Sequence, residues 1–348
     1  MRQLKAFLLK ALTRRRTESF KAKDAETFVF LRYDRIGDLI VSLPLVKTLK
    51  ASFSSTTMIL IGSEANAPVG RYSELFDEII VRKRSKLGSW IATLWKLRKR
   101  GISVVFDLNH AVAPHTLLAC LAINPRHIAT PYKDGRWGVS GKHLQLFDLM
   151  PERHPKGYDR PISHTYLDIA LTLGCSVDSE QPYPLCPSLG FGTREKTIIL
   201  NHRGSRPSMR LPDAHLIEIS KLIQNSLPSY KVKLVPEHPD YHHIADLTKD
   251  LSNVEVLTPS PTIIPVIEAL KTTTLVITPD TSIVHIASAF SKPLIAIYPN
   301  KPELFEQWKP LNAAPTVTLF STSHNSLEGY SFKALSNAIV SLTKDVTK

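Results

Sequence analysis

The chain contains 348 residues, of which 43% are hydrophobic and 22% are charged. This composition is typical of globular proteins and excludes a disordered or collagen-like chain, and the length predicts two domains. No apolar run approaches the roughly 18 residues that a transmembrane helix needs. The three cysteines, Cys120, Cys175 and Cys186, have no metal-like spacing, so the sequence indicates a reducing compartment.

Most of the formal net charge of +13 lies in two short segments. Residues 1–23 contain eight basic side chains and one acid, and residues 82–100 contain eight basic side chains and no acid. The rest of the chain is close to neutral. This distribution favours two local contacts with an anionic partner, and it argues against a nucleic-acid groove spread over the protein.

Residues 1–26 are predicted to form a basic amphipathic N-terminal segment. Its apolar residues recur at helical spacing: Leu4, Phe7, Leu8, Ala11 and Leu12. Lys10 interrupts the apolar stretch too early for a secretory signal. We expect a helix that lies on an anionic lipid leaflet, and a solvated tail is the alternative.

Residues 27–185 alternate between strand-like and helix-like runs, which predicts a first Rossmann-like domain. Strands are predicted at 27–33, 56–62, 76–82 and 103–109, and helices at 38–53, 82–100, 113–123 and 163–174. A long loop rich in proline, histidine and glycine is predicted at 131–161.

The basic helix within residues 82–100 has two interpretations. An apolar stripe runs along it: Leu87, Trp90, Ile91 and Leu94. The stripe could pack into the core while the basic last turn complements the helix dipole. Alternatively, this tryptophan-bearing surface contacts lipid or an acidic acceptor.

Prolines and glycines cluster around residues 186–196, which predicts a linker. The strand and helix pattern restarts over 197–330, which predicts a second Rossmann-like domain, and 331–348 predicts a C-terminal helix. The fold class is therefore α/β, with two doubly wound parallel sheets. Such folds bind ligands beyond the carboxyl ends of the strands, so we expect the active site in a cleft between the domains.

Several common chemistries leave no signature in this sequence. There is no Gly-x-Gly-x-x-Gly, P-loop, Gly-x-Ser-x-Gly or His-Glu-x-x-His motif. There is also no Asp-x-Asp pair, so we expect neither a carboxylate-bound divalent metal nor a cofactor.

The first candidate site is the strand-to-helix turn RYDRIGD at residues 32–38. Gly37 permits a tight turn, and Asp38 lies where the next helix starts. An acid at this place caps helix amides and is kept ionised by the helix N-terminus. An ionised carboxylate in a cleft is also a workable general base, so both roles stay open.

The second candidate site is the turn VITPDTS at residues 276–282. Asp280, Thr281 and Ser282 open a helix whose free amides and hydroxyls could hold a phosphate, and His285 lies one turn further on. The alternative is an Asp/Thr helix cap with a packed histidine.

Together these two turns resemble the signatures of the heptosyltransferase family, glycosyltransferase family 9. Its first signature is Arg-x-x-x-x-Gly-Asp followed by a helix with Thr/Ser-x-Pro, as in residues 32–44 here. Its second is Thr-Pro-Asp-Thr-Gly-x-x-His-x-Ala-Ala, as in TPDTSIVHIAS at 278–288. The resemblance covers about residues 27–330 and includes the Asp-Leu-x that ends a strand at Asp107 and the segment 201–213.

The resemblance implies a GT-B fold, in which two Rossmann-like domains face an interdomain cleft. It implies an inverting, metal-independent transfer of heptose from ADP-heptose to lipopolysaccharide inner core. The N-terminal domain would hold this anionic glycolipid acceptor, and the C-terminal domain would hold the nucleotide sugar. The enzyme would then be cytoplasmic and peripheral on the inner face of the inner membrane.

The resemblance also implies roles for particular residues. Asp38 would be the catalytic base that deprotonates the acceptor hydroxyl. The residues that would bind the donor are Asp280, Thr281, Ser282, His285, Arg210, Arg206 and Glu237. The residues that would bind the acceptor are Arg35, Gly37, Asp107 and Asn109.

Three departures from the family pattern lie on the donor side. Met209 stands at the place of a lysine, for which Arg210 or Arg206 would substitute, Ser282 replaces a glycine, and the last strand ends Tyr-Pro-Asn. These departures leave two alternatives: transfer from a different nucleotide sugar to a surface glycan, or a catalytically silent membrane-surface protein of the same fold.

Overall fold

The computed structural model describes residues 19–83, 85–134, 139–157, 159–179, 183–185, 195–204 and 206–344. Most of the predicted N-terminal segment and of the predicted linker therefore lies outside the described residues. The chain divides into two compact units, with the boundary between Cys186 and Pro187.

The first unit contains a parallel sheet of five strands. The strands are β1 Thr27–Arg32, β2 Thr57–Gly62, β3 Glu78–Val81, β4 Val104–Asp107 and β5 His127–Ala129. The helices are α1 Ile36–Ile40, α2 Leu43–Ser52, α3 Ala67–Tyr72, α4 Leu87–Arg100, α5 Pro114–Ile123 and α6 Ile162–Thr172. The strand order is β3-β2-β1-β4-β5.

The central strand β1 is almost completely buried, as the continuous apolar run predicts. The rings of Phe30 and Phe106 stack at 4.6 Å between centroids, joining β1 to β4. From β1 the chain first builds the sheet outward through β2 and β3, and then returns to place β4 on the other side. The topological switch point, where such sheets bind ligands, therefore lies at the carboxyl ends of β1 and β4.

The single helix predicted at 38–53 is wrong, because the structure has two helices there. α1 begins at Ile36, and the chain turns at Val41 and Ser42 before α2. Pro44 explains the break: it has no amide hydrogen, and in a continuous helix its ring would clash with the carbonyl of Ile40. In the first turn of α2 the same proline is well tolerated.

The apolar stripe predicted on the basic helix is only partly buried. α4 begins at Leu87, and its packed face consists of Leu94 and Leu97, with Trp90 half-buried. Leu87 and Ile91 are exposed instead. The sequence pattern did not distinguish which apolar positions face the sheet.

The second unit contains a parallel sheet of six strands in the order β11-β10-β9-β6-β7-β8. The strands are β6 Thr197–Leu200, β7 Lys231–Leu234, β8 Val254–Val256, β9 Leu275–Pro279, β10 Leu294–Tyr298 and β11 Thr316–Phe320. The helices are α7 Asp213–Ser226, α8 Tyr241–Thr248, α9 Ile264–Thr272, α10 Ser282–Ala289, α11 Pro302–Trp308 and α12 Phe332–Lys344.

In this sheet the direction of chain growth reverses between β6 and β9. The second switch point is therefore at the carboxyl ends of these two strands, where Asn201 and the 276–282 turn lie. The C-terminal helix α12 contributes Leu335, Ile339 and Leu342 to the core of this unit. Among the described residues, no helix is long and apolar enough to cross a membrane.

Candidate active site

The switch point of the first unit is organised by a buried arginine. Arg32, the last residue of β1, is only 2% exposed. Its Nε donates to the backbone carbonyl of Asp38 at 2.9 Å, and its Nη1 donates to the carbonyl of Leu108 at 2.9 Å. One guanidinium therefore connects helix α1, which follows β1, to the loop after β4.

The same guanidinium contacts two carboxylates. Nη1 of Arg32 lies 3.1 Å from Oδ2 of Asp34, and Nη2 lies 3.4 Å from Oδ1 of Asp38. The other Asp38 oxygen accepts the backbone N–H of Arg35 at 3.3 Å and so caps α1. Burial raises the pKa of Asp34, although Arg32 opposes this shift. Asp38 thus caps the helix and still keeps 19% of its side chain exposed, as a general base requires.

A tyrosine and a histidine complete this cluster. Nη2 of Arg32 donates to the hydroxyl of Tyr166 at 2.8 Å, and that hydroxyl lies 2.5 Å from Nε2 of His110. Burial, with further repulsion from Arg32 and Lys133, lowers the pKa of His110 to about 3. Because arginine can only donate, the Tyr166 hydroxyl accepts from Arg32 and donates to the neutral His110 ring.

The other predicted acceptor residues lie at the end of β4. The Asp107 side chain has no exposed surface, and its Oδ2 lies 3.1 Å from Nζ of Lys133, which is equally buried. Oδ1 accepts from the Asn109 side chain at 2.9 Å, and Oδ2 also accepts from the Thr116 hydroxyl at 3.0 Å. Asn109 is half-buried and Arg35 is exposed. Asp107 is therefore placed to hold the loop, and Asn109 and Arg35 retain accessible surface.

The switch point of the second unit is built around Thr281. This residue is the N-cap of α10, and its hydroxyl accepts the backbone N–H of Ile283 at 3.3 Å. The Asn201 side chain donates to Thr278 Oγ1 at 2.9 Å and to Thr281 Oγ1 at 3.4 Å. The backbone N–H of Asp280 donates to the carbonyl of Ile297 at 3.0 Å. This network fixes the turn and leaves Asp280, Thr281 and Ser282 half-buried at the helix start.

His285 lies inside the unit rather than on the turn. Its side chain is 3% exposed, and its ring centroid lies 6.2 Å from that of Trp308. Burial lowers the pKa of His285 to about 4. The ring is therefore neutral at pH 7 and offers a hydrogen bond rather than a positive charge.

This shift predicts a pH dependence of stability. Between about pH 6.5 and pH 4 the unfolded chain binds a proton at His285 that the folded chain excludes. The free energy of unfolding therefore decreases as the pH is lowered through this window. We expect the wild type to lose on the order of 2 kcal/mol more than a His285→Gln variant between pH 7 and pH 4.5. Urea unfolding at the two pH values measures this difference, and equal losses would contradict the assignment.

Several basic side chains lie beside the second switch point, and two of them already form ion pairs with acidic side chains. Arg203 Nη1 lies 2.7 Å from Glu237 Oε2 and 2.7 Å from Asp240 Oδ2, and Arg210 Nη2 lies 3.4 Å from the same Asp240 oxygen. Arg206 is exposed. The predicted donor residues Arg210 and Glu237 thus belong to one ion-pair cluster. Within the described ranges, no group of three or more His, Cys, Asp or Glu side chains could hold a metal ion.

Met209, which stands at the place of the family's lysine, belongs to the core of the second unit. It is 8% exposed and packs with the apolar cluster that covers the sheet. A Cβ at Gly204 would lie 2.3 Å from the Met209 backbone oxygen, so only glycine fits there. The cations near this turn are therefore Arg203 and Arg210, and both are paired with acids.

Sequence reasoning did not assign site roles to Tyr166, His110, Lys133, Asp34 or Arg203. Tyr166 lies 134 residues from Arg32 in a helix without a motif, and Lys133 lies in the predicted long loop. Asp34, His110 and Arg203 had an available signal, because each follows the carboxyl end of a strand, where such folds bind ligands.

A comparison with models of protein families identifies the family of this chain. Residues 147–330, more than half of the chain, match the model of glycosyltransferase family 9 (heptosyltransferase). The protein belongs to glycosyltransferase family 9. It is accordingly a glycosyltransferase, as the two turns predicted. A comparison with curated proteins gives no match.

Solved structures of two heptosyltransferases and one family 9 glycosyl transferase have the same fold over most of this chain. The ADP-heptose lps heptosyltransferase II of E. coli has a TM-score of 0.71 at 16% identity, covering 92% of this chain and 100% of that one. The E. coli heptosyltransferase WaaC with ADP-2-deoxy-2-fluoro heptose has a TM-score of 0.70 at 16% identity, with 92% and 99% coverage. A family 9 glycosyl transferase from Veillonella parvula DSM 2008 has a TM-score of 0.69 at 15% identity, with 93% and 99% coverage. The predicted GT-B fold class is confirmed.

Proposed function

We propose that this protein transfers a heptose from ADP-heptose to the lipopolysaccharide inner core, with inversion at the anomeric carbon and without a metal. The observation that carries the proposal is Asp38, a partly exposed carboxylate fixed by a buried arginine in the family's Gly-Asp turn. The donor is supported by relatives whose names include ADP-heptose and a fluorinated ADP-heptose. The acceptor and its cytoplasmic, membrane-bound location rest on the sequence resemblance.

Asp38 acts as the general base in this proposal. It takes the proton of the acceptor hydroxyl as the hydroxyl oxygen bonds to the anomeric carbon, and the bond from that carbon to the diphosphate breaks. Arg32 and the amide of Arg35 hold the carboxylate oxygens in place. Arg35, Gly37 and Asn109 are the proposed acceptor contacts at this switch point, and Asp107 positions Asn109.

The leaving ADP carries negative charge, which the second switch point is suited to accept. The amides at the start of α10 and the hydroxyls of Thr281 and Ser282 form the cradle. In our proposal the exposed Arg206 supplies positive charge to this cradle, and Arg203 and Arg210 can do so only by exchanging their carboxylate partners, Glu237 and Asp240, for the diphosphate. Glu237 remains our proposed contact to the ribose or base, and buried His285 contributes a neutral hydrogen-bond donor.

The membrane location rests on the basic N-terminal segment. Residues 1–26 combine apolar and basic side chains at helical spacing, which is typical of helices on an anionic leaflet. Removing residues 1–18 is expected to weaken vesicle binding.

A second candidate donor, another nucleotide sugar, is favoured by Met209 and Ser282, which depart from the family pattern on the donor side. A catalytically silent protein of the same fold would also fit these departures.

The donor assignment is tested by thermal stabilisation with ADP, UDP, GDP and CMP, side by side. Selective stabilisation by ADP is the expected result, because only a ligand that binds the folded state raises its melting temperature. Selective stabilisation by UDP or GDP would change the proposed donor to a UDP- or GDP-sugar and would leave the proposed role of Asp38 as the base unchanged. No stabilisation by any nucleotide would favour the silent binding protein.

A further inference from the structure

Helix α4 exposes an apolar stripe to solvent. The side chains of Leu87, Ile91 and Trp95 are 68%, 58% and 57% exposed. They follow one another at intervals of four residues and so share one side of the helix. Large exposed apolar side chains that cluster in this way mark interaction surfaces, whereas single ones are ordinary.

The neighbouring helix extends this apolar surface. α5 packs beside α4, and Arg98 Nη1 of α4 lies 3.4 Å from the carbonyl of Ala122 at the end of α5. Leu118 of α5 is 62% exposed. The described part of the chain has seven large apolar side chains that are more than 40% exposed, and four of them lie on these two helices.

Basic residues flank the stripe at both ends. Lys83 and Lys86 precede α4, Lys96 and Lys99 follow its middle, and all four are exposed. Nζ of Lys99 lies 3.5 Å from the centroid of the Trp95 ring, so the charge sits directly on the apolar stripe. Residues 82–100 contain no acid of their own. Glu64 and Glu78 from outside this segment pair with Lys83 and Arg100, whereas Lys99 lies on the stripe itself.

The stripe begins near the carboxyl ends of the strands of the first sheet, where Asp38 also lies. The Arg82 guanidinium, which follows β3, lies 4.3 Å from the centroid of Tyr33 and 5.1 Å from that of Trp90. Tyr33 follows Arg32 directly at the end of β1. The N-terminal end of α4 therefore packs against the segment that forms the candidate acceptor site.

We infer that this face docks on an anionic lipid surface, which presents the glycolipid acceptor to Asp38. The lipid-docking face is defined as Leu87, Ile91, Trp95 and Leu118 with Lys86, Lys96 and Lys99. Leucine, isoleucine and tryptophan enter the apolar boundary of a bilayer, and lysines bind its anionic headgroups. The inference rests on the proposed function, because only a membrane-embedded acceptor requires such a surface.

A lipid partner fits this surface better than an acidic protein. A protein interface is mostly enriched in aromatic residues and arginine and depleted of lysine. Four of the six exposed cations described in residues 82–100 are lysines, which interact with headgroups as mobile point charges. The two arginines, Arg98 and Arg100, contact the Ala122 carbonyl and Glu78 of the chain itself.

The test uses the full chain and vesicles of phosphatidylglycerol mixed with phosphatidylethanolamine, with phosphatidylcholine vesicles as the uncharged reference. Two variants disrupt the face: Ile91→Ser/Trp95→Ser and Lys96→Glu/Lys99→Glu. Their matched controls change exposed residues elsewhere: Leu171→Ser/Leu304→Ser and Lys47→Glu/Lys221→Glu. A melting curve for each variant checks that the fold is kept.

We expect the wild type to sediment with the anionic vesicles and both face variants to bind at least about tenfold more weakly. The controls are expected to bind like the wild type. Face variants that bind like the wild type, or a wild type that ignores anionic vesicles, would overturn the inference, and the latter result would point to an acidic protein. Vesicle binding needs no donor, so a failure of the proposed sugar transfer would leave this readout intact.

Discussion

Replacing Asp38 with asparagine is expected to lower kcat by about 10²- to 10⁴-fold and to leave the affinity for the nucleotide unchanged. The amide cannot accept the proton of the acceptor hydroxyl, although it keeps the size of the carboxylate. The nucleotide is bound by the second unit in our proposal, so its affinity does not depend on this side chain. Steady-state transfer kinetics and nucleotide titration measure the two quantities separately.

The matched control for this prediction is Asp34→Asn. Asp34 contacts the same Arg32 guanidinium, at 3.1 Å, and its side chain is 34% exposed. Arg32 keeps its contacts with Asp38, Leu108 and Tyr166 in this variant, so the proposed base stays in place and we expect a loss of less than about tenfold in kcat. A severe loss in Asp34→Asn together with an active Asp38→Asn would transfer the role of the base to Asp34.

Replacing Lys133 with methionine is expected to reduce the free energy of unfolding by about 3 to 5 kcal/mol. Lys133 and Asp107 both have fully buried side chains, 3.1 Å apart at Nζ and Oδ2. Burial lowers the pKa of Lys133, and Asp107 opposes this shift. Methionine would fill the space of the lysine stem but leave the Asp107 carboxylate buried without its cation.

Urea unfolding of Lys133→Met and of the control Lys142→Met tests this expectation. Lys142 forms an exposed pair with Glu152 at 2.7 Å, so its replacement should leave the free energy of unfolding close to that of the wild type. Lys133→Met should also weaken catalysis, because Lys133 Nζ donates to the carbonyl of Asn109 in the candidate acceptor loop. Equal stability of the two variants would contradict the importance of the buried pair.

The sequence allowed the order of most strands and helices to be predicted, because each parallel strand is a continuous apolar run. It did not reveal the break between α1 and α2, because the apolar spacing there is helical and only the ring and missing amide hydrogen of Pro44 interrupt the helix. It also did not predict α11 or β11, whose residues are only half-buried or exposed and carry a weak apolar signal.

The candidate site was predictable only where its residues form local motifs. Asp38 and Thr281 lie in turns whose spacing is legible in the sequence. Arg32 contacts Tyr166 across 134 residues, and Lys133 contacts Asp107 from a segment predicted as a loop. Such contacts follow from how the chain returns to the sheet, which local patterns do not encode.

The most direct test of the central claim is transfer itself. The protein is incubated with ADP-heptose and a lipopolysaccharide inner-core acceptor that lacks the heptose, and mass spectrometry follows the acceptor while ADP release is measured. We predict that the acceptor gains a heptosyl residue, that ADP is released in equal amount, and that Asp38→Asn slows both by about 10²- to 10⁴-fold. An acceptor that stays unchanged with ADP-heptose but is modified with another nucleotide sugar would contradict this account.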